Sequence, residues 1–189
     1  MPGCQVLFTC KGKVIYHKAF GFHTYDSINP VQWSDLYDLA SLTKIVATTP
    51  AVMKLVEEGK IDLNKSIGDY LPELRQTNKN KIKIKDILMH QAGFKAWIPF
   101  YQKTLRSGLP DTSIYSRVLK PGFTVQICDS LYILTSYRDS ILQTIYGSEI
   151  QKGNKYLYSD LGFYLLRNLV ERVSDRKSTR LNSSHRIRS

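Results

Sequence analysis

Along residues 5–20, QVLFTCKGKVIYHKAF, two β-rich apolar runs flank a Lys-Gly pair, which predicts a hairpin turning at Lys11–Gly12. Gly21 and the polar run to Asp35 predict a loop. From Leu42 onward Ile45, Val46, Thr49, Val52, Met53 and Val56 keep helical spacing, which predicts a helix closed by Gly59 as C-cap and bent at Pro50. Residues 61–74 read as a loop with one short helical turn closed by Pro72. KNKIKIKDILMHQAG, residues 79–93, opens with Lys/Ile alternation, the pattern of a strand with one wet face, and continues as a short helix that Gly93 ends. Residues 94–128 read as irregular and hold three of the seven prolines; long loops of this kind often form binding walls. Residues 129–147 read as helical in part. Residues 157–174 read as a turn and an amphipathic helix carrying Leu161, Leu165, Leu166, Leu169, Val170 and Val173.

The chain has 189 residues, 42% apolar and 23% charged, which suits one folded domain. No apolar run approaches the roughly 20 residues of a membrane span. The start MPGCQVLF lacks the basic and apolar regions of a signal peptide, so either the protein is cytosolic or Met1 is not its natural beginning. The three cysteines and four histidines are scattered without metal-ligand spacing, which predicts neither a structural metal nor a disulfide framework. Cys4 and Cys10, on one predicted strand, would lie roughly 20 Å apart.

A net charge of +11 raises the possibility of a nucleic-acid partner. Residues 175–189, DRKSTRLNSSHRIRS, hold five of the 27 basic and one of the 16 acidic side chains, leaving +7 for the rest. No aromatic residues interleave with the lysines at 79–85, so a solvated face is the plainer reading there. Residues 175–185 resemble, codon for codon, the in-frame translation of a widely used sequencing adapter. The expected organisation is therefore a folded domain over 1–174 and a foreign or disordered tail over 175–189, on a chain that is a fragment of a longer protein.

Candidate chemistry centres on YDLASLTKIV, residues 37–46, where Ser41 and Lys44 stand one turn apart at a helix entry. A serine hydroxyl needs help to lose its proton, and positions i and i+3 share a helix face, so Lys44 can reach it. The helix N-terminus also favours a developing oxyanion. Spacing alone leaves a bland alternative, a capping serine with a solvated lysine.

Context favours the first reading. PGCQVLF with GKVIYHKAFGF, LASLTKIVAT with KLVEEGKIDLNKSIGDYLPEL, IKIKDILMHQAGF and YSDLGFYLL resemble, in this order, the penicillin-binding-protein-like serine hydrolases, the family of class C β-lactamases, D-Ala-D-Ala carboxypeptidases and related esterases. The resemblance covers Pro2 to about Ser174. It implies an α/β (α+β) β-lactamase/transpeptidase-like fold, an antiparallel sheet flanked by helices with a helical subdomain and its C-terminal strands missing here.

For the site, the resemblance implies Ser41 as the nucleophile of an acyl-enzyme, Lys44 in its proton transfer and Tyr158 as partner base and acid. Asp160 stands where the family typically has asparagine, an anion in place of an amide donor at a substrate-binding position. Tyr137-Arg138-Asp139 repeats the spacing without the Leu-Gly-Phe that follows Tyr158-Ser159-Asp160. His90 reads as a structural brace of its loop. Trp97, with Phe100 and Tyr101, reads either as a wall of the substrate cleft or as ordinary packing.

The resemblance further implies no cofactor, a small-molecule or peptidoglycan-derived acyl substrate, a periplasmic or envelope location and, in some relatives, an upstream glycoside hydrolase domain. The family's third element, Lys-Thr-Gly or His-x-Gly, does not occur in the sequence. The chain as written is therefore expected to be marginally stable and inactive. Two other classes stay open: a non-catalytic cell-wall-binding relative and a basic nucleic-acid-binding module.

Overall fold

The computed structural model describes residues 2–151 and 155–174; the tail reading for 175–189 lies outside them. The chain divides into two compact units at Asp38/Leu39. The first is built on an antiparallel hairpin of β1 (Cys4–Cys10) and β2 (Lys13–Phe20). Its turn residues Lys11 and Gly12 take φ of +47° and +76°, the double left-handed geometry that matches the twist of a two-residue hairpin loop. The segment that follows is tied back by Gln5, whose Nε2 donates to the carbonyls of Gln32 at 2.7 Å and Asp35 at 3.0 Å.

The second unit is mainly helical. A π-helical turn, Lys44–Thr48, runs into α1 (Thr49–Glu57). Pro50, which has no N–H to donate, sits in the first turn of α1, where none is needed. The Thr49 N–H closes the widened turn on the Lys44 carbonyl. The helix expected to run through Pro50 is thus divided there, into a widened turn and an α-helix that carries the proline in its first turn. α2 (Ile67–Tyr70) begins with a capping box, Ser66 and Asp69 bonding each other's backbone N–H, and Pro72 opens a 3₁₀ turn, Pro72–Leu74.

The Lys/Ile stretch departs from expectation. Residues 79–83 form no strand among the described residues beyond an isolated Ser66–Lys83 bridge, and α3 (Ile84–Leu88) ends five residues before Gly93. The left-handed His90, φ +56°, redirects the chain there. Lys79 is fully buried, not on a wet face. Residues 94–128 are more ordered than a plain loop, with a 3₁₀ turn at Phe100–Thr104 and the short strands β3 (Leu105–Arg106), β4 (Leu109–Pro110), β5 (Tyr115–Ser116) and β6 (Val125–Cys128). β7 (Leu131–Ile133) lies between β5 and β6, and α4 (Tyr137–Gly147) follows. Every strand pairing among the described residues is antiparallel, and the fold class is mixed α/β as expected.

The core of this unit is organised by α5 (Leu161–Val173). Leu161, Leu165, Leu166 and Leu169 are fully buried and join Val52 and Leu55 of α1 and Ile84 and Ile87 of α3 in one cluster. Each such leucine contributes about 1.5–3 kcal/mol by leaving water. At Gly162 the packing admits no side chain: a Cβ would lie 2.5 Å from Ile87 Cγ2. α5 and α3 are thereby pressed together at the end of α5 where the candidate site residues precede it.

Candidate active site

Ser41 lies just after Ala40, whose φ of +42° is a left-handed conformation that alanine rarely adopts. Strained residues of this kind concentrate at functional sites. The chain then tightens into successive turns, with the Lys44 N–H donating to the Ser41 carbonyl at 3.0 Å, before the π turn begins. This winding brings the lysine back over the serine: Lys44 Nζ donates to Ser41 Oγ at 3.0 Å. The same ammonium donates to Asp160 Oδ1 at 2.6 Å, across 116 residues of sequence. It also stands 5.2 Å from the ring centre of Tyr158 and 5.7 Å from that of Phe163. Ser41, Lys44, Tyr158 and Asp160 are therefore brought to one place.

The Tyr158–Asp160 segment is held by the loop after α3. The Ser159 N–H donates to His90 Nδ1 at 3.1 Å, Ser159 Oγ donates to the Lys95 carbonyl at 2.6 Å, and the Asp160 N–H donates to the Ala96 carbonyl at 2.9 Å. Ser159 is buried, and its Oγ also receives the Leu161 N–H at 3.1 Å. The His90 ring lies 4.5 Å from that of Tyr158, and the Leu157 N–H donates to the His90 carbonyl. His90 thus braces the segment that presents Tyr158 and Asp160. Neither Phe163 nor Ser159 stands out in sequence, although both belong to the YSDLGFYLL block that does.

Charge at the site follows from these contacts. Burial pulls the Lys44 amine down, but the Asp160 carboxylate bonded to it, together with the Tyr158 phenol, outweighs burial and leaves its pKa above the ordinary lysine value. Burial, and then the Lys44 charge, push the His90 imidazole below its ordinary value, against a smaller opposing effect of Asp160. A neutral imidazole is the form that can accept the Ser159 N–H.

Trp97 lies beside Asp160 in an open cleft of about 260 Å³ whose wall also includes Phe100, Tyr101 and Tyr164. Trp97 and Tyr101 stay exposed at this cleft, whereas Phe100 and Tyr164 meet edge to face at 5.9 Å. Tyr137 of the competing Tyr-x-Asp repeat is buried in α4, its hydroxyl donating to the Phe100 carbonyl at 2.7 Å. Among the described residues no group of three or more His, Cys, Asp or Glu side chains could hold a metal ion. No described helix is long and apolar enough to cross a membrane.

The sequence matches the beta-lactamase family over residues 1–183. Proteins of Salmonella heidelberg (strain SL476) and Salmonella typhimurium, whose names include D-alanyl-D-alanine carboxypeptidase, are 30% identical over 186 residues, which cover 92% of this chain and 38% of each relative. The chain therefore spans well under half the length of these relatives. Among solved structures, a class C beta lactamase aligns with a TM-score of 0.63 at 20% identity, over 94% of this chain and 40% of its own. An octameric penicillin-binding protein homologue from Pyrococcus abyssi aligns with a TM-score of 0.65 at 20% identity, over 96% and 37%. These structural likenesses concern the fold.

Proposed function

Because the chain belongs to the beta-lactamase family, we propose that Ser41 is the nucleophile of a serine hydrolase that works through an acyl-enzyme. The observation that carries the reading is the contact of Lys44 Nζ with Ser41 Oγ at 3.0 Å beside the Tyr158 ring. Ser41 Oγ attacks an acyl carbon, and Tyr158, as partner base, takes its proton. As the tetrahedral adduct collapses, that proton passes to the leaving group. Water then deacylates Ser41 by the same route in reverse. Lys44, held as an ammonium by Asp160, stabilises the developing oxygen charge and is not itself the proton acceptor. The names of the relatives make peptidoglycan-derived acyl groups and an envelope location the natural context, with D-Ala-D-Ala carboxypeptidase, esterase and β-lactamase chemistry the three variants of one step.

The test is covalent labelling, which reads the reactivity of Ser41 itself and does not require the turnover expected to be absent from the chain as written. A fluorophosphonate probe should phosphonylate the chain at Ser41, located by peptide mass spectrometry, and Ser41→Ala should abolish the adduct. A folded chain that takes no label at Ser41 refutes the reading and leaves a non-catalytic, wall-binding relative of the same fold.

A further inference from the structure

The geometry points to Asp160 as a specificity-determining residue: its carboxylate, bound to Lys44 Nζ at the edge of the aromatic cleft, cancels the site's positive charge, so the site takes acyl compounds whose group beside it is uncharged and apolar. This inference rests on Ser41 being the nucleophile.

Three observations support it. The 2.6 Å bond engages Asp160 Oδ1 with the only cation in hydrogen-bond contact with Ser41 Oγ among the described residues, so Ser41 sits beside an ion pair of zero net charge. The Lys44 side chain is mostly buried, 13% exposed, whereas that of Asp160 is 44% exposed. An approaching ligand therefore meets the carboxylate before the ammonium. Finally, Asp160 borders the cleft formed with Trp97, Ile98, Tyr101 and Tyr164, a largely aromatic surface whose lining holds no cationic side chain to pair with a ligand carboxylate. Like charges brought together across a binding surface exclude a partner more strongly than opposite charges recruit one.

Asp160 precedes α5 without a side-chain capping bond, so Asp160→Asn leaves that helix start intact while restoring a net positive charge. One unit charge at about 8 Å with an effective dielectric near 20 corresponds to roughly a thirtyfold change in affinity, and solvent at the exposed carboxylate reduces this to about tenfold.

The experiment compares phenylboronic acid with 3-carboxyphenylboronic acid by isothermal titration calorimetry on the full chain. In the adduct, Ser41 Oγ gives an electron pair to trigonal boron and forms a B–O bond while its proton leaves to solvent. Wild type is expected to favour the neutral compound. Asp160→Asn should move the affinity ratio about tenfold toward the carboxylate, with Asp160→Ser, another neutral replacement, moving it the same way. An Asn variant whose ratio stays within twofold of wild type overturns the inference while leaving the nucleophile in place, as does a wild type that prefers the carboxylate tenfold. Absence of any Ser41-dependent binding, judged against Ser41→Ala, overturns both the inference and the reading beneath it.

Discussion

Lys79 offers a direct test of how the helical unit is held. Its side chain is fully buried, yet its ammonium donates to Asn78 Oδ1 at 2.8 Å and to the carbonyls of Tyr146 at 3.0 Å and Ser148. Those carbonyls close the C-terminus of α4, where a helix leaves acceptors unpaired and favours a positive charge. Burial nevertheless dominates and pushes the amine from 10.5 to about 8. At 1.36 kcal/mol per pKa unit, keeping the proton in the folded chain at pH 7 costs about 3 kcal/mol. The folded value lies below the unfolded one, so between about pH 8 and 10.5 the unfolded chain holds more protons and stability rises with pH. From pH 7 to 9.5 the gain is about 2 kcal/mol; below pH 7 the contribution is flat. Lys79→Met removes the titration while keeping most of the volume. Urea unfolding at both pH values should show wild type gaining about 2 kcal/mol over the variant. A difference that stays flat, or that shrinks as pH rises, would show that the three acceptors outweigh burial and would refute the reasoning.

Gly162→Ala places a Cβ 2.5 Å from Ile87 Cγ2 and should cost about 1–3 kcal/mol, measured as a lower urea midpoint with an unchanged slope. His90→Ala removes the acceptor of the Ser159 N–H and the ring stacked near Tyr158. It should lower stability by about 1–3 kcal/mol and slow fluorophosphonate labelling of Ser41, whereas labelling at the wild-type rate would reject its bracing role. Ser66→Ala breaks the capping box of α2 and should cost about 1 kcal/mol in the same unfolding assay without altering the labelling rate.

What was legible in the sequence divides by the range of the interactions involved. The hairpin over 5–20 and α5 could be read because their signals are local: a Lys-Gly pair able to take positive φ twice, and leucines spaced to fill one face. The Ser41–Lys44 contact was legible for the same reason, since three residues of helix suffice to make it. The Lys/Ile run misled because alternation describes a strand only if a partner strand exists; here residue 83 meets Ser66 in a single bridge. The burial of Lys79 could not be read at all, because its acceptors Tyr146 and Ser148 lie 67 and 69 residues away and nothing near Lys79 announces them.

The ion pair at the centre of the site shows the same division at closer quarters. Spacing near Ser41 predicts a lysine in reach but not the carboxylate, 116 residues away, that bonds it and raises its pKa. In sequence Asp160 registers only as the replacement of an asparagine amide, a change that bears on substrate contacts. In three dimensions its first partner is Lys44. The residue at 160 therefore bears on Lys44 as well as on substrate contacts, since an amine bonded to a carboxylate holds its proton more firmly. Only the fold, by pressing α5 onto α3 at Gly162 and tying Ser159 and Asp160 to the 95–96 carbonyls, brings that position onto Lys44.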